Sequence, residues 1–316
     1  RCNLRCVHCY INQPAGSLPV KQSELSTSQV CQIIDAISSA GCLFLILTGG
    51  EVFVRPDFPE IYMHTLRAGI LPTVFTNGTM ITPELADLFA SAQPQTIDIT
   101  LYGATRETYE AVTRQPGSFD RCIRGINLLL ERGVHVTLKA MLLNLNKHEL
   151  NEMQALADQL GLKFRYDGTI WPRLDGDEQP YRDRVSAEEM FEIDRADKER
   201  FEEWQRRAKE FADTPIRKEY IFSCGAALRS FHIDSKGNLC ACTMVRNPSY
   251  NLLEIPFEEA WEKLGELRKL KRQKHTACET CLVGSLCAQC PGWSQLVHGD
   301  MRSAGSRPHP PSCRPA

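Results

Sequence analysis

The chain has 316 residues, with 37 basic and 39 acidic side chains for a formal charge of −2, and 42% of its residues are hydrophobic. That apolar content excludes wholesale disorder, and the near-neutral balance gives no electrostatic reason for a nucleic-acid polyanion or an anionic membrane to be the main partner. No apolar run approaches the roughly 18 residues of a membrane span.

The chain opens Arg1-Cys2-Asn3-Leu4-Arg5-Cys6-Val7-His8-Cys9, without the apolar targeting core that export requires. It begins without Met and inside what reads as a motif, so we take it as a fragment to which a leader could have belonged. Fourteen cysteines are unevenly spread, three of them in these first nine residues. Clustered thiols in a large chain without an export signal read as metal ligands rather than disulfides. A C-x3-C-x2-C triplet on a short loop suits an iron–sulfur cubane with one iron left open. The alternative is a zinc knuckle with His8 as fourth ligand, although His8 adjoins Cys9 awkwardly for one ion.

From residue 27 to 163 helical and strand-length patterns alternate. Helical spacing over 30–37 follows a Ser/Thr-rich start. Leu43-Phe44-Leu45-Ile46-Leu47 is a buried-strand pattern that ends at Gly49-Gly50. Further strands are expected at 73–75, 96–101, 134–138 and 163–166, and helices at 61–68, 83–90, 119–131 and 150–160, several of them stopped by glycine. A repeated βα unit builds a parallel sheet with right-handed crossovers. Five strands are visible, and a sixth would precede Cys2.

After Trp171-Pro172 the pattern changes to a charged helical tract over 187–211. Beyond it lies a cysteine-rich region with a short strand at 230–234, a Lys236-Gly237-Asn238 hairpin turn and one strong helix over 257–270. Its cysteines are Cys224, Cys240, Cys242, the run Cys278-x2-Cys281-x5-Cys287-x2-Cys290, and Cys313. The four-cysteine run alone could be a zinc ribbon. Cys31, Cys42 and Cys122 lack partners at ligand spacing and read as small buried hydrophobes. The eight histidines show no recurrent spacing. There is no phosphate loop, no Ser-His-Asp order and no basic–aromatic alternation.

Cys2-Asn3-Leu4-Arg5-Cys6-Val7-His8-Cys9-Tyr10 resembles the signature of the radical S-adenosylmethionine (SAM) enzymes, and Thr48-Gly49-Gly50-Glu51 one βα unit later resembles that family's second motif. The resemblance implies an α/β fold, a partial TIM-like (β/α)6 barrel over 1–170 whose first strand would precede Cys2. In this reading Cys2, Cys6 and Cys9 carry a catalytic [4Fe–4S] cluster, and the open iron is chelated by SAM. Gly49 and Gly50 let the backbone approach the cofactor, and Glu51 can hold its ammonium group. Thr76-Asn77-Gly78, Thr100, Lys139 and Asn144 would fall on the rim where open parallel sheets bind ligands. The resemblance suggests cofactor contacts for Asn77, Thr100 and Lys139; ordinary strand-end polar residues are the alternative.

The cysteine order after residue 224 resembles the SPASM extension, here 224–316, joined to the core by a helical bridge over 171–223. That likeness implies two auxiliary [4Fe–4S] clusters, one on Cys224, Cys242 and Cys290, the other on Cys278, Cys281, Cys287 and Cys313. Cys240 is either a fourth ligand of the first or idle. The run departs from the usual pattern in that two residues, not three, separate Cys287 from Cys290. The likeness favours a maturase of ribosomally made peptides, with a peptide or protein substrate, a low-potential donor such as flavodoxin or ferredoxin, and a reducing cytoplasm. A small-molecule or haem-type cofactor enzyme is a second reading. Sulfatase maturation is disfavoured because Thr243, not aspartate, follows Cys242. A non-catalytic zinc or electron-transfer protein is the alternative from another class. The polar and aromatic tract over 164–177 would either help hold substrate or serve as a linker.

Overall fold

The computed structural model describes residues 1–212, 219–272 and 290–302. Five strands, β1 (Phe44–Leu47), β2 (Leu71–Thr76), β3 (Thr96–Thr100), β4 (Val136–Met141) and β5 (Lys163–Asp167), form one parallel sheet in the order β1-β2-β3-β4-β5. A short helix α1 (Leu18–Gln22) and α2 (Thr27–Ser39) precede the sheet; α2 is opened by a capping box in which Ser26 and Gln29 bond reciprocally. The connections carry α3 (Phe58–Arg67), α4 (Pro83–Ser91), α5 (Arg106–Thr113), α6 (Ser118–Leu130) and α7 (Leu150–Gln159).

A sequential strand order with right-handed crossovers stacks the connecting helices on a single face of the sheet. Alternation then sorts each strand's residues. Val74, Ile97, Ile99, Val136, Leu138 and Ala140 are buried in one core with helix residues such as Tyr62, Phe89, Tyr109, Ile126, Leu129 and Met153. Their alternates point the other way. The register aligns Phe44 with Leu71, Phe75 with Asp98, Thr100 with Lys139 and Lys139 with Arg165 across this second face. Phe44, Ile46 and Leu71 are more than half exposed, as befits the open lumen of a partial barrel.

Beyond the sheet come α8 (Ala187–Ala196) and α9 (Lys198–Ala212), a three-stranded antiparallel sheet of β6 (His232–Ile233), β7 (Asn238–Cys240) and β8 (Ser249–Asn251), then α10 (Phe257–Gly265) and α11 (Pro291–His298). A second core joins Ile33, Ile34 and Ile37 of α2, Ile61 of α3 and Ile70 to Phe222, Leu239, Val245, Phe257 and Leu264. The C-terminal region is therefore packed onto the outside of the first two helical layers.

Several elements differ from expectation, among them β1, read as a buried strand, whose Phe44 and Ile46 are exposed. The tract over 187–211 is two helices, because Asp197 is extended and its carboxylate caps the next helix through the Arg200 N–H at 3.0 Å. The fourth strand starts at Val136 rather than Val134 and runs to Met141. The helix expected over 257–270 ends at Gly265 and continues only as a 3-10 turn. Helix α5 was not expected: only Tyr109 and Val112 supply large apolar side chains in its eight residues, too few to show a period.

Candidate active site

The opening segment is strung across the carboxyl ends of the strands. After β1, the Glu51 N–H donates to the Arg1 carbonyl at 2.9 Å. Gly50 lies so close that a Cβ there would stand 2.4 Å from the Arg1 oxygen and 2.7 Å from the Cys2 Cβ, so only glycine fits. Around Gly49 there is open space. After β2, Asn77 Nδ2 donates to Asn3 Oδ1 at 2.9 Å, while Asn3 Nδ2 donates to Thr79 Oγ1 at 2.8 Å. On the far side the Arg5 and Val7 N–H groups donate to the Thr113 and Val112 carbonyls at the end of α5, both at 3.0 Å. Two expected rim residues, Gly50 and Asn77, thus position the cysteine loop itself.

Glu51 is buried, and its two oxygens already accept from Thr76 Oγ1 (2.7 Å), the Asn77 N–H (2.8 Å) and the Phe53 N–H (3.3 Å). Burial pushes this carboxyl up to about 6 against those hydrogen bonds. The Val52 N–H adds to these in lowering the group, so the protein's own donors already engage most of what a carboxylate can accept.

The three sulfurs are coupled. Burial pushes the Cys2 thiol up to about 11, with the charges of Glu51 and Cys9 adding to it; burial, then Cys2 and Cys9, push Cys6 higher still. Thiolates in such a place need a cationic group to balance them. Among the described residues, no three His, Cys, Asp or Glu side chains converge closely enough for a single metal ion. His8 does not complete a zinc site. Its ring lies 5.3 Å from that of Tyr102, its Nδ1 is buried without a partner, and burial holds the imidazole neutral, down to about 4. Three sulfurs on one short loop, close enough that Cys2 and Cys9 both act on Cys6, fit a multi-iron group.

Sequence reasoning missed Tyr102, which follows β3 and reaches the Cys6 sulfur, and Arg114, a non-glycine residue at φ 51° where α5 meets the cysteine loop. A strained backbone beside a ligand loop is a signal that exists only in three dimensions. Thr100 and Lys139 stand side by side on the lumen face, and the Lys139 Nζ lies 3.1 Å from the centre of the Phe75 ring. Burial, and more weakly Arg165, bring this amine down to about 7 although Asp98 opposes them. Asn144 is turned away, donating to the Arg184 carbonyl at 2.9 Å. The tract over 164–177 touches the cysteine loop where the Leu174 N–H donates to the Tyr10 carbonyl at 3.0 Å.

In the C-terminal region Cys290 is pushed up by burial and further by the nearby Cys242 and Cys224. Cys242 Sγ accepts from the Val245 N–H at 3.3 Å. Cys240 is 1% exposed, with its sulfur facing the Asn238 and Arg246 carbonyls; burial, with Asp234 adding, pushes it up to about 12. Cys278, Cys281, Cys287 and Cys313 lie outside the described residues. Cys122 is fully buried, as its reading requires, whereas Cys31 and Cys42 are only half-buried because they lie near the outer surface of α2 and the start of β1.

A parallel partial barrel that presents three sulfurs over the carboxyl ends of its strands defines a cluster-binding α/β enzyme scaffold. Residues 1–159 match the family model described as the radical SAM superfamily, and the chain belongs to that family. Membership implies SAM and a [4Fe–4S] cluster. The chain is 28% identical over 330 residues to the AdoMet-dependent heme synthase of Methanosarcina barkeri, covering 95% of this chain and 90% of that one. It is 26% identical over 306 residues to AlbA, the antilisterial bacteriocin subtilosin biosynthesis protein of Bacillus subtilis, covering 92% of this chain and 65% of AlbA. It thus resembles SPASM-type peptide maturases as well. Native anSMEcpe with bound AdoMet shares the fold, with a TM-score of 0.67 at 18% identity over 91% of this chain and 85% of that one. Among the described residues no helix is long and apolar enough to cross a membrane.

Proposed function

We propose that the protein binds a [4Fe–4S] cluster through Cys2, Cys6 and Cys9, with SAM beside it, and starts a hydrogen-abstraction reaction on a substrate in the lumen. Such a cluster, held by these three cysteines, would supply the one-electron reduction of SAM from which hydrogen abstraction follows. Gly50 and Asn77 fix the loop that carries the sulfurs. Glu51 and Thr100, at the carboxyl ends of β1 and β3, are the residues that would hold the polar groups of the cofactor. The observation that carries this reading is the seating of the cysteine loop on the turns after β1 and β2, which gathers its three sulfurs at the carboxyl ends of the strands.

Cys224, Cys240, Cys242 and Cys290 hold one auxiliary cluster, and Cys278, Cys281, Cys287 and Cys313 a second. Oxygen-labile clusters suit a reducing cytoplasm, and a low-potential flavodoxin- or ferredoxin-type donor supplies the electron. The substrate is a tetrapyrrole. That assignment is supported by a relative matched nearly end to end on both chains, the haem synthase, and it stands beside the peptide favoured by the cysteine pattern. The peptide reading is supported by the likeness to AlbA over 92% of this chain and to the mycofactocin maturase MftC, 34% identical over 165 residues.

Anaerobic reconstitution followed by dithionite and SAM tests the chemistry. Wild type is expected to release 5′-deoxyadenosine and Cys6→Ala to release none; equal release by both overturns the reading. Metal analysis should find roughly twelve irons with matching sulfide in the wild type, and zinc in their place removes the cluster assignment.

A further inference from the structure

The lumen face is divided by polarity. Toward β1 and β2 it shows Phe44, Ile46, Leu71 and Phe75, the first three more than half exposed. Toward β4 and β5 it shows cations. Arg165 crosses β4 to pair with Asp98, the pair's carboxylate being 5% exposed and its guanidinium 58%. Lys139 lies between them in the register, within the field of both, with its Nζ over the Phe75 ring and no hydrogen bond or ion pair among the described residues. Lys163 adds a third positive charge two residues before Arg165 on the same strand face. The anions of this face are both engaged, Asp98 by Arg165 and Asp167 by the Thr169 N–H at 2.7 Å.

A half-buried ammonium with three donors and no acceptor is costly to hold in place unless a ligand completes it. The same guanidinium that neutralises Asp98 keeps donors free, because a planar fork has five and a carboxylate takes two at most side by side. Three cations against two carboxylates that already have partners, next to an apolar shelf, complement a molecule that is flat and greasy on one side and carries carboxylates on the other.

We propose that Lys139 and Arg165 are the specificity residues of the substrate site, receiving carboxylate side chains of a tetrapyrrole whose macrocycle lies against Phe75, Ile46, Phe44 and Leu71. This rests on the function proposed above and assigns the ammonium of Lys139 to substrate rather than to SAM. A peptide would meet these cations only through acidic side chains or its C-terminal carboxylate, an occupant that the titration below distinguishes.

The test is a titration of the anaerobically reconstituted enzyme with iron coproporphyrin III, which has four propionates, followed by its Soret band. Wild type is expected to bind, and Lys139→Met and Arg165→Gln each to bind about tenfold more weakly, the loss expected for one charge-assisted hydrogen bond. Lys139→Arg should recover most of the affinity. The tetramethyl ester should bind wild type and both variants alike. Equal porphyrin affinity in wild type and variants overturns the proposal, as does a wild type that ignores porphyrin but binds an acidic peptide. A parallel SAM titration separates the roles: SAM affinity lost in Lys139→Met by the same factor as porphyrin affinity assigns the ammonium to the cofactor and overturns it too. Absence of 5′-deoxyadenosine release from the wild type would instead defeat the underlying enzyme reading, a failure visible without any porphyrin.

Discussion

At Gly50 one hydrogen atom in place of a side chain decides whether the cysteine loop can dock. Its virtual Cβ meets backbone, the Arg1 carbonyl at 2.4 Å, and backbone cannot swing aside as a flexible side chain can. Gly50→Ala is therefore expected to lift residues 1–9 from the turn after β1. The outcome to look for is loss of most reconstituted iron, together with faster hydrogen exchange at the Glu51 amide that donates to Arg1; full iron retention would show that the loop has another anchor. The sequence displayed Gly49-Gly50-Glu51 as a motif but could not rank its members, because the difference between a glycine that is needed and one with room to spare lies in a neighbour 49 positions away. Glu51 illustrates the same limit. Its carboxylate is legible as a candidate ligand holder, while its protein donors from Thr76, Asn77 and Phe53 become visible only once β1 and β2 pair.

Short elements carry more of the site than their length suggests. Helix α5, hidden from periodicity, is tied at its start by Glu149, which accepts from Thr105 Oγ1 (2.5 Å), Thr108 Oγ1 (2.6 Å) and the N–H groups of Ala104 (2.7 Å) and Thr105 (3.1 Å). At its other end the helix receives the cysteine loop through Val112 and Thr113. Burial raises the Glu149 carboxyl, but these hydrogen bonds outweigh it and hold the group below the usual carboxylate range. A depressed acid contributes stability above its unfolded value and loses it as pH falls through the folded one. Glu149→Ala leaves four donors without an acceptor and should cost about 3 kcal/mol, read by urea unfolding at neutral pH. Below the carboxylate range the gap between wild type and variant should close; a gap that persists there would mean that packing, not charge, was lost. The longer strands and helix α4 were legible from apolar periodicity, and α3, α6 and α7 also from the glycines that follow them, Gly69, Gly133 and Gly161. The break at Asp197 was not, since a charged tract gives no apolar period to interrupt, and only the cap from Asp197 to Arg200 marks it.

At the level of the whole molecule, sequence reading separated a barrel from a cysteine-rich extension by composition, yet the second hydrophobic core is built from both. Ile33, Ile34, Ile37 and Ile61 would face water if the region from 221 onward were removed. The two parts should therefore unfold together. Ile37→Ala, at a side chain 1% exposed, should cost about 3 kcal/mol and lower a single melting transition seen alike in near- and far-ultraviolet circular dichroism; two separated transitions would show that the parts are energetically independent. The ordered pairing of β1 through β5 has a different outcome. In each strand one set of alternate residues anchors the helical layer and the other fronts the cavity, so a lineage can retool what its enzyme accepts by exchanging side chains that hold nothing up. Distant cousins that process unlike molecules on one scaffold are the evolutionary trace such a division of labour would leave.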